Sequence, residues 1–391
     1  METVVSNNHY DLIIIGGGPI GMSLAIALRN SGLSILLLEA RKAPEKNEDP
    51  RPLAFSHGSR LILHRLGVWE SLPEISPITT IHISNRGGFG RTVLTASEID
   101  VPALGYVILH HDVFRVMHKK LKDCGVDYLT EAQVTKLKSN TTEGQVEFQH
   151  NGKLRQVTAN LLVLADGGRL TGQVEGITQH VQDYEQWAIV ARIGTSIPQC
   201  GTAYERFTSD GPVAFLPLGK HFSLVWTVSP SAAQEILNLD DVTFLARLHS
   251  HFGDRLGKLT CASKRAGFPL ALKYATPVSV RRIVLIGNAA QTLHPVAGQG
   301  FNLGLRDAWE LSGEIIAMPS GVGSPAMLSR YQAKRQTDSG GGRFFTDSLV
   351  KLFSNDNILL QGVRGIGLSA LDCLPPAKRF VAKRMMFGSR G

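Results

Sequence analysis

Residues 10–21, YDLIIIGGGPIG, constrain the fold more than any other stretch of this chain. Tyr10 to Ile15 is an apolar, β-branched run of strand length, the pattern of a strand buried on both faces. Gly16, Gly18 and Gly21 follow at GxGxxG spacing. MSLAIALRNSG then reads as a helix ended by Gly32, and SILLLEA reads as a second strand closing on Glu39. The three glycines act differently. Gly16 permits the tight turn, Gly18 lets the backbone approach a pyrophosphate, and Gly21 lets helix and strand pack closely. The helix N-terminus offers free N–H groups to the phosphates. Glu39 would accept from ribose hydroxyls and repel a 2′-phosphate, so the site suits FAD or NAD rather than NADP.

The stretch 12–28 is free of charge, but its glycines and Pro19 interrupt it and no Lys or Arg precedes it. It reads as strand, turn and helix, not as a signal or membrane segment. The net charge of +8 is uneven: five of the eight net positive charges lie after Gly340. That placement, with no helix-turn-helix or zinc-finger spacing, argues against nucleic acid as a partner. The four cysteines are scattered without metal-ligand spacing, which fits a reducing, cytoplasmic compartment and no metal site. At 391 residues, two domains are expected.

A second signal lies at 287–307, GNAAQTLHPVAGQGFNLGLRD, after the strand-like run RRIVLIG. A third, LLVLADGG (161–168), reads as a strand ending in Asp166-Gly167. The three together resemble the flavoprotein aromatic hydroxylases, whose FAD domain carries a strand, G-D-A-A-H and P-x-x-G-Q-G before a helix. Here the pattern reads Gly287-Asn288-Ala289-Ala290-Gln291, Pro295, Gly298-Gln299-Gly300 and Asn302, with Asn288 replacing the usual Asp. The resemblance selects FAD over NAD. It implies that Asn288 bonds the ribityl chain, that Asp166 and Gly167 lie near the pyrophosphate, that Gln299 and Asn302 also bind the cofactor, and that Gly298 and Gly300 keep a helix start clear for the flavin. The continuation RLTG after Gly168 departs from the family's Ser and Arg, so no NADPH-handling role is carried over to this loop.

The spelling of that segment, with RPLAFSHGSRLIL (51–63), LGYVILHHDVFR (104–115) and RYQAKRQTDS (330–339), is similar to the ubiquinone-biosynthesis hydroxylases over essentially the whole chain. The resemblance implies an α/β fold: a Rossmann-like FAD-binding domain of the glutathione-reductase type, an inserted β-rich substrate domain and C-terminal helices. The expected FAD domain takes in 1–75, 99–172 and 278–340. The β-rich domain takes in 76–98 and 173–277, and the helical region 341–391. Arg51 and Arg115 are expected near the FAD phosphates, and Phe215, Leu216, Pro217 and Phe268 on the substrate wall. His294 and Pro295 are given supporting roles, because the flavin itself carries the chemistry.

The implied activity is hydroxylation of a polyprenylated phenol by O2 through a flavin C4a-hydroperoxide, with NAD(P)H as electron donor. Other enzymes of the pathway are expected partners. The setting is expected to be cytoplasmic, with peripheral contact at the inner membrane left open by the basic tail. Two alternatives stay open: an FAD-dependent reductase of lipid double bonds, and a non-catalytic FAD-binding subunit. Phe345, Leu349, Leu352 and Phe353 fall on one helical face that would dock the tail, and Gly340-Gly341-Gly342 is expected to break the preceding helix.

Overall fold

The computed structural model describes residues 8–42, 51–86, 89–208, 211–353 and 358–388; for 297, 344, 345, 349–353 and 358–363 it describes the backbone only. The helices are α1 (Pro19–Ala27), α2 (His57–Arg65), α3 (His110–Leu121), α4 (Pro230–Asn238), α5 (Asp241–Phe252), α6 (Gln299–Ala317), α7 (Pro325–Phe353), α8 (Ile358–Cys373) and α9 (Pro375–Phe387).

Strand His9–Ile15 sits centrally in one sheet, parallel to Lys153–Leu164 on one side and Ile35–Leu38 on the other. Ile283–Leu285 and Asp127–Leu129 extend the parallel core outward on each side. The central strand shows no in–out alternation. Leu12, Ile13 and Ile14 are all fully buried, since α1, α3 and α6 cover one face and a second apolar layer covers the other.

A second, nine-stranded sheet is built from 80–95, 178–276 and the short strand Gln291–Thr292. Its strands alternate: Val213 and Phe215 pack outward against α4 and α5, while Ala214 and Leu216 point to the other face. Ser76–Ile78 does not join this sheet. It pairs with Gly105–Leu109, which also pairs with Pro52–Ser56, in a three-stranded sheet between the two larger ones.

The expected break at 340–342 is absent. α7 runs unbroken from Pro325 to Phe353. Two of the glycines serve close packing instead: a Cβ on Gly341 would stand 2.6 Å from the Arg384 guanidinium of α9, and one on Gly342 3.1 Å from Leu303 of α6. Tertiary contact outweighs their poor helix propensity. The expected docking face of Phe345, Leu349, Leu352 and Phe353 lies outside the described side chains. α8 does reach the second sheet, where Leu368 O accepts from the Thr92 hydroxyl, and α9 reaches the turn that follows it, where Lys378 pairs with Glu98 at 2.7 Å. No helix among the described residues is long and apolar enough to cross a membrane.

Candidate active site

At the first turn the three glycines meet the constraints that their spacing implies. Gly16 has φ +113°, and a Cβ there would lie 2.4 Å from Ala165 O. One on Gly21 would lie 2.0 Å from Gly16 O. At Gly18 a Cβ would meet nothing within 4 Å, because this glycine opens onto a cleft. No side chain caps α1, so its first N–H groups face that cleft unclaimed.

Glu39 is buried beside them and accepts the Gly17 N–H at 2.8 Å and the Arg41 N–H and Nε at 2.9 Å. Burial opposes its ionisation, but Arg41 and the Gly17 N–H outweigh burial and hold the carboxyl below its ordinary value.

At the other end, the chain leaves strand Ile283–Leu285 and turns at Gly287–Ala289, placing Asn288 exposed on the cleft wall. The turn is fixed from behind. Asp307 of α6 accepts the Gly287 N–H at 2.9 Å and holds Arg335 of α7 at 2.6 Å; Arg335 also bonds Asp338, which pairs with Arg306. Gly304 permits the approach, with its would-be Cβ 3.0 Å from Gly287 Cα. α6 starts without a side-chain cap, and Gly298 and Gly300 beside its N-terminus line the cleft. Gly298 has φ +60°.

His294 is fully buried, and burial lowers its pKa to about 4. Its Nδ1 accepts the Val296 N–H at 3.1 Å, and its ring meets Tyr184 edge-on at 5.3 Å. It is therefore a neutral ring that shapes the Pro295 loop. Pro295 lines the cleft directly.

The cleft has a volume of about 710 Å³ and is reached by Asp166, Gly167, Arg51, Arg41 and Arg169. Asp166 spends its carboxylate on the Gly168 and Leu170 N–H groups and so shapes its own loop. Next to the cleft lies a mainly apolar cavity of about 130 Å³. The two share Ala54, Leu216, Val225, Pro295 and Gly298. Ile81, Ile83 and Leu94 line the cavity from the sheet, and Ala382, Met385 and Met386 of α9 close it.

Several expected residues stand elsewhere. Arg115 is exposed on α3, pairs with Asp112 at 2.7 Å and does not line the cleft. Asn302 is 2% exposed and uses its amide on protein alone: Oδ1 accepts the Ser56 N–H and the Ser59 hydroxyl, and Nδ2 donates to Ala54 O and Gly298 O. It clips strand Pro52–Ser56 to the Gly298 turn. Gln299 lines the apolar cavity rather than the cleft and donates to Met385 O of α9 at 3.3 Å.

Of the four wall candidates, Leu216 alone borders the apolar cavity. Phe215 points the other way, onto Phe252 at 4.5 Å, and Pro217 shares its odd-numbered side of the strand. Phe268 lies in a separate cavity beneath Arg51, 5.7 Å from guanidinium to ring centroid. Asp307, Arg335 and the α9 residues were not anticipated. Asp307 lies in the LRD ending of the second motif and Arg335 in RYQAKRQTDS, but the pairing that joins α6 to α7 shows in neither stretch alone.

Two uncapped helix N-termini and a glycine-lined opening on one cleft fit a dinucleotide whose flavin end reaches the apolar cavity. The fold and site together define a flavoprotein monooxygenase. More particularly, the chain belongs to the FAD binding domain family, whose model matches residues 9–339. It is 32% identical over 387 residues to the ubiquinone hydroxylase UbiL of Rhodospirillum rubrum, covering 96% of this chain and 89% of that one. It is 31% identical to the ubiquinone hydroxylase UbiM of Neisseria meningitidis, covering 96% and 84%. Among solved structures, p-nitrophenol 4-monooxygenase PnpA from Pseudomonas putida matches with TM-score 0.79 at 16% identity, covering 98% of this chain and 100% of that one, a likeness of fold.

Proposed function

We propose that this enzyme hydroxylates the ring of a polyprenylated phenol in ubiquinone biosynthesis, using FAD, O2 and electrons from NAD(P)H. The observation that carries this reading is the junction at Ala54, Leu216, Val225, Pro295 and Gly298, where a dinucleotide cleft opens into an apolar cavity. FAD, when bound, supplies the activation of O2. The protein's part is to hold, orient and keep dry.

Gly18 and the α1 N-terminus would hold the pyrophosphate, Glu39 the ribose, and Asn288 the ribityl chain. The N–H groups at the start of α6 would supply a fixed positive field where reduced flavin carries negative charge. Leu216 and Val225 would press the phenol ring toward the flavin. The cavity is too small for a long prenyl chain, so the tail must leave it, and Met385 and Met386 offer an adaptable apolar exit beside α9. The outer side of α9 exposes Phe380 between Arg379 and Lys383, with Leu374 nearby. That surface suits contact with an anionic membrane holding the lipid substrate, or with pathway partners.

The test is turnover of a short-chain 2-prenylphenol by FAD-loaded protein under ¹⁸O2. One labelled oxygen in the ring product supports the reading. Saturation of a prenyl double bond without O2 would replace it with a reductase, and substrate binding without turnover would leave a non-catalytic subunit.

A further inference from the structure

A third cavity, of about 290 Å³, adjoins the FAD cleft and has no role in the scheme so far. Arg51 and Pro52 belong to both. Its other walls come from the second sheet, on the face that covers the cleft. Val190 lies directly opposite Val225 in the antiparallel ladder, and Arg192 directly opposite Ser223. Val225 is at the junction of the cleft and the apolar cavity, where the proposed function would put the flavin ring. Opposed residues stand about 5 Å apart, so this cavity lies one strand away from that position.

Its chemistry is one-sided. Arg51, Arg192 and Lys264 line it, and no Asp or Glu does among the described residues. The side chains of Arg192 and Lys264 make no hydrogen bond or ion pair with any described residue. The adjacent Arg265 shows the contrast: it is used up on Asp241, Leu239 O and the Phe244 ring. Phe268, 37% exposed, presents a ring to the same space under Arg51. A concavity lined by cations without an acid, with an aromatic face among them, fits a ligand carrying phosphates and a planar heterocycle.

We propose that this cavity docks the reduced nicotinamide dinucleotide, with Arg192, Lys264 and Arg51 on its phosphates and Phe268 against one of its rings. The proposal rests on the flavoprotein reading above and gives its electron donor a place. The step balances as NAD(P)H + FAD + H⁺ → NAD(P)⁺ + FADH₂: one hydride leaves the nicotinamide and the oxidised nucleotide departs. The strand Pro52–Ser56 joins the parts, since Pro52 borders this cavity, Leu53 and Ala54 the cleft, and Ala54 to Ser56 the apolar cavity.

The experiment measures NADP⁺ and NAD⁺ binding calorimetrically, on protein with and without flavin, and the rate of anaerobic flavin reduction by NADPH and NADH. Arg192→Gln and Lys264→Gln should each weaken nucleotide binding about tenfold, or about 1.4 kcal/mol. Phe268→Ala should weaken it severalfold. The same variants should need proportionately more NAD(P)H for flavin reduction, while dithionite reduces them as it does the parent. Lys136→Gln, on an exposed strand of the other sheet, should change nothing. Failure of the parent to bind either nucleotide, or equal binding by the Arg192→Gln/Lys264→Gln double variant, overturns the proposal. Absence of flavin uptake would instead defeat the flavoprotein reading, and nucleotide binding to the flavin-free protein would still decide this one.

Discussion

Asp307 accepts the Gly287 N–H at 2.9 Å from a position where it is 2% exposed, with its second oxygen on Arg335. The turn that presents Asn288 to the cleft is thus held by a buried charge on the next helix, and that charge is balanced by a third element. Arg335→Met should leave the buried Asp307 without its cation, and Asp338 with Arg306 alone, and destabilise the protein by about 3–5 kcal/mol. Asp307→Asn keeps an acceptor for Gly287 and should cost less stability. Urea denaturation of both variants, with an FAD titration of each, checks the order. Equal stability of Arg335→Met and parent would show that the network does not hold the turn.

Gly18 and Gly21 should fail differently. A Cβ at Gly18 meets nothing, whereas one at Gly21 collides with Gly16 O. Gly18→Val should therefore fold, losing about 1 kcal/mol at the helix start, yet take up no FAD because its side chain fills the pyrophosphate position. Gly21→Val should not fold. Circular dichroism separates the two outcomes, and a yellow Gly18→Val protein would disprove the phosphate assignment.

Burial alone would raise the pKa of Asp338, but Arg306 and Arg335 overcome it and hold the carboxyl at about 2, below its ordinary 3.8. A depressed carboxyl contributes stability that is fully present above the unfolded value and is lost as pH falls through the folded one. The contribution is about 2 kcal/mol above pH ~4, gone near pH ~2. The stability gap between parent and Asp338→Asn should close over that interval in acid titrations followed by fluorescence. His294, with its pKa lowered to about 4 by burial, is neutral at physiological pH, so no titration near pH ~6.5 in the turnover profile should belong to it.

In α7, Gly340 faces open space while Gly341 and Gly342 face α9 and α6. Gly340→Ala should stabilise the protein by about 0.5–1 kcal/mol by restricting the unfolded chain. Gly342→Ala should gain less, since Leu303 must yield. Amide exchange across 338–344 should be as slow as in the flanking helix, and fast exchange there would restore the break that the glycines suggest.

The first turn was legible because its constraints are local: Gly16, Gly18 and Gly21 act on atoms a few residues away or on the adjacent strand. The second motif was legible as a pattern, but the partners of its residues were not. Asn302 was expected at the cofactor, and its bonds to Ala54, Ser56 and Ser59 could not be read because those residues lie more than 240 residues earlier in the chain. Arg115 has an acid one turn away that claims it. The wall candidates turned on strand parity, and a run such as AFLPL, apolar at every position, carries no sign of which side faces the cavity.

That parity separates two kinds of evolutionary change. Along Gly211–Leu218, Pro212, Ala214 and Leu216 line the apolar cavity, whereas Val213 and Phe215 belong to the core between the sheet and α4 and α5. A mutation on the first side alters which compound fits; on the second it alters whether the chain folds. Adjacent codons therefore answer to different selective pressures, and a lineage can reshape the cavity by changing alternate residues while the helical layer behind the sheet stays constant.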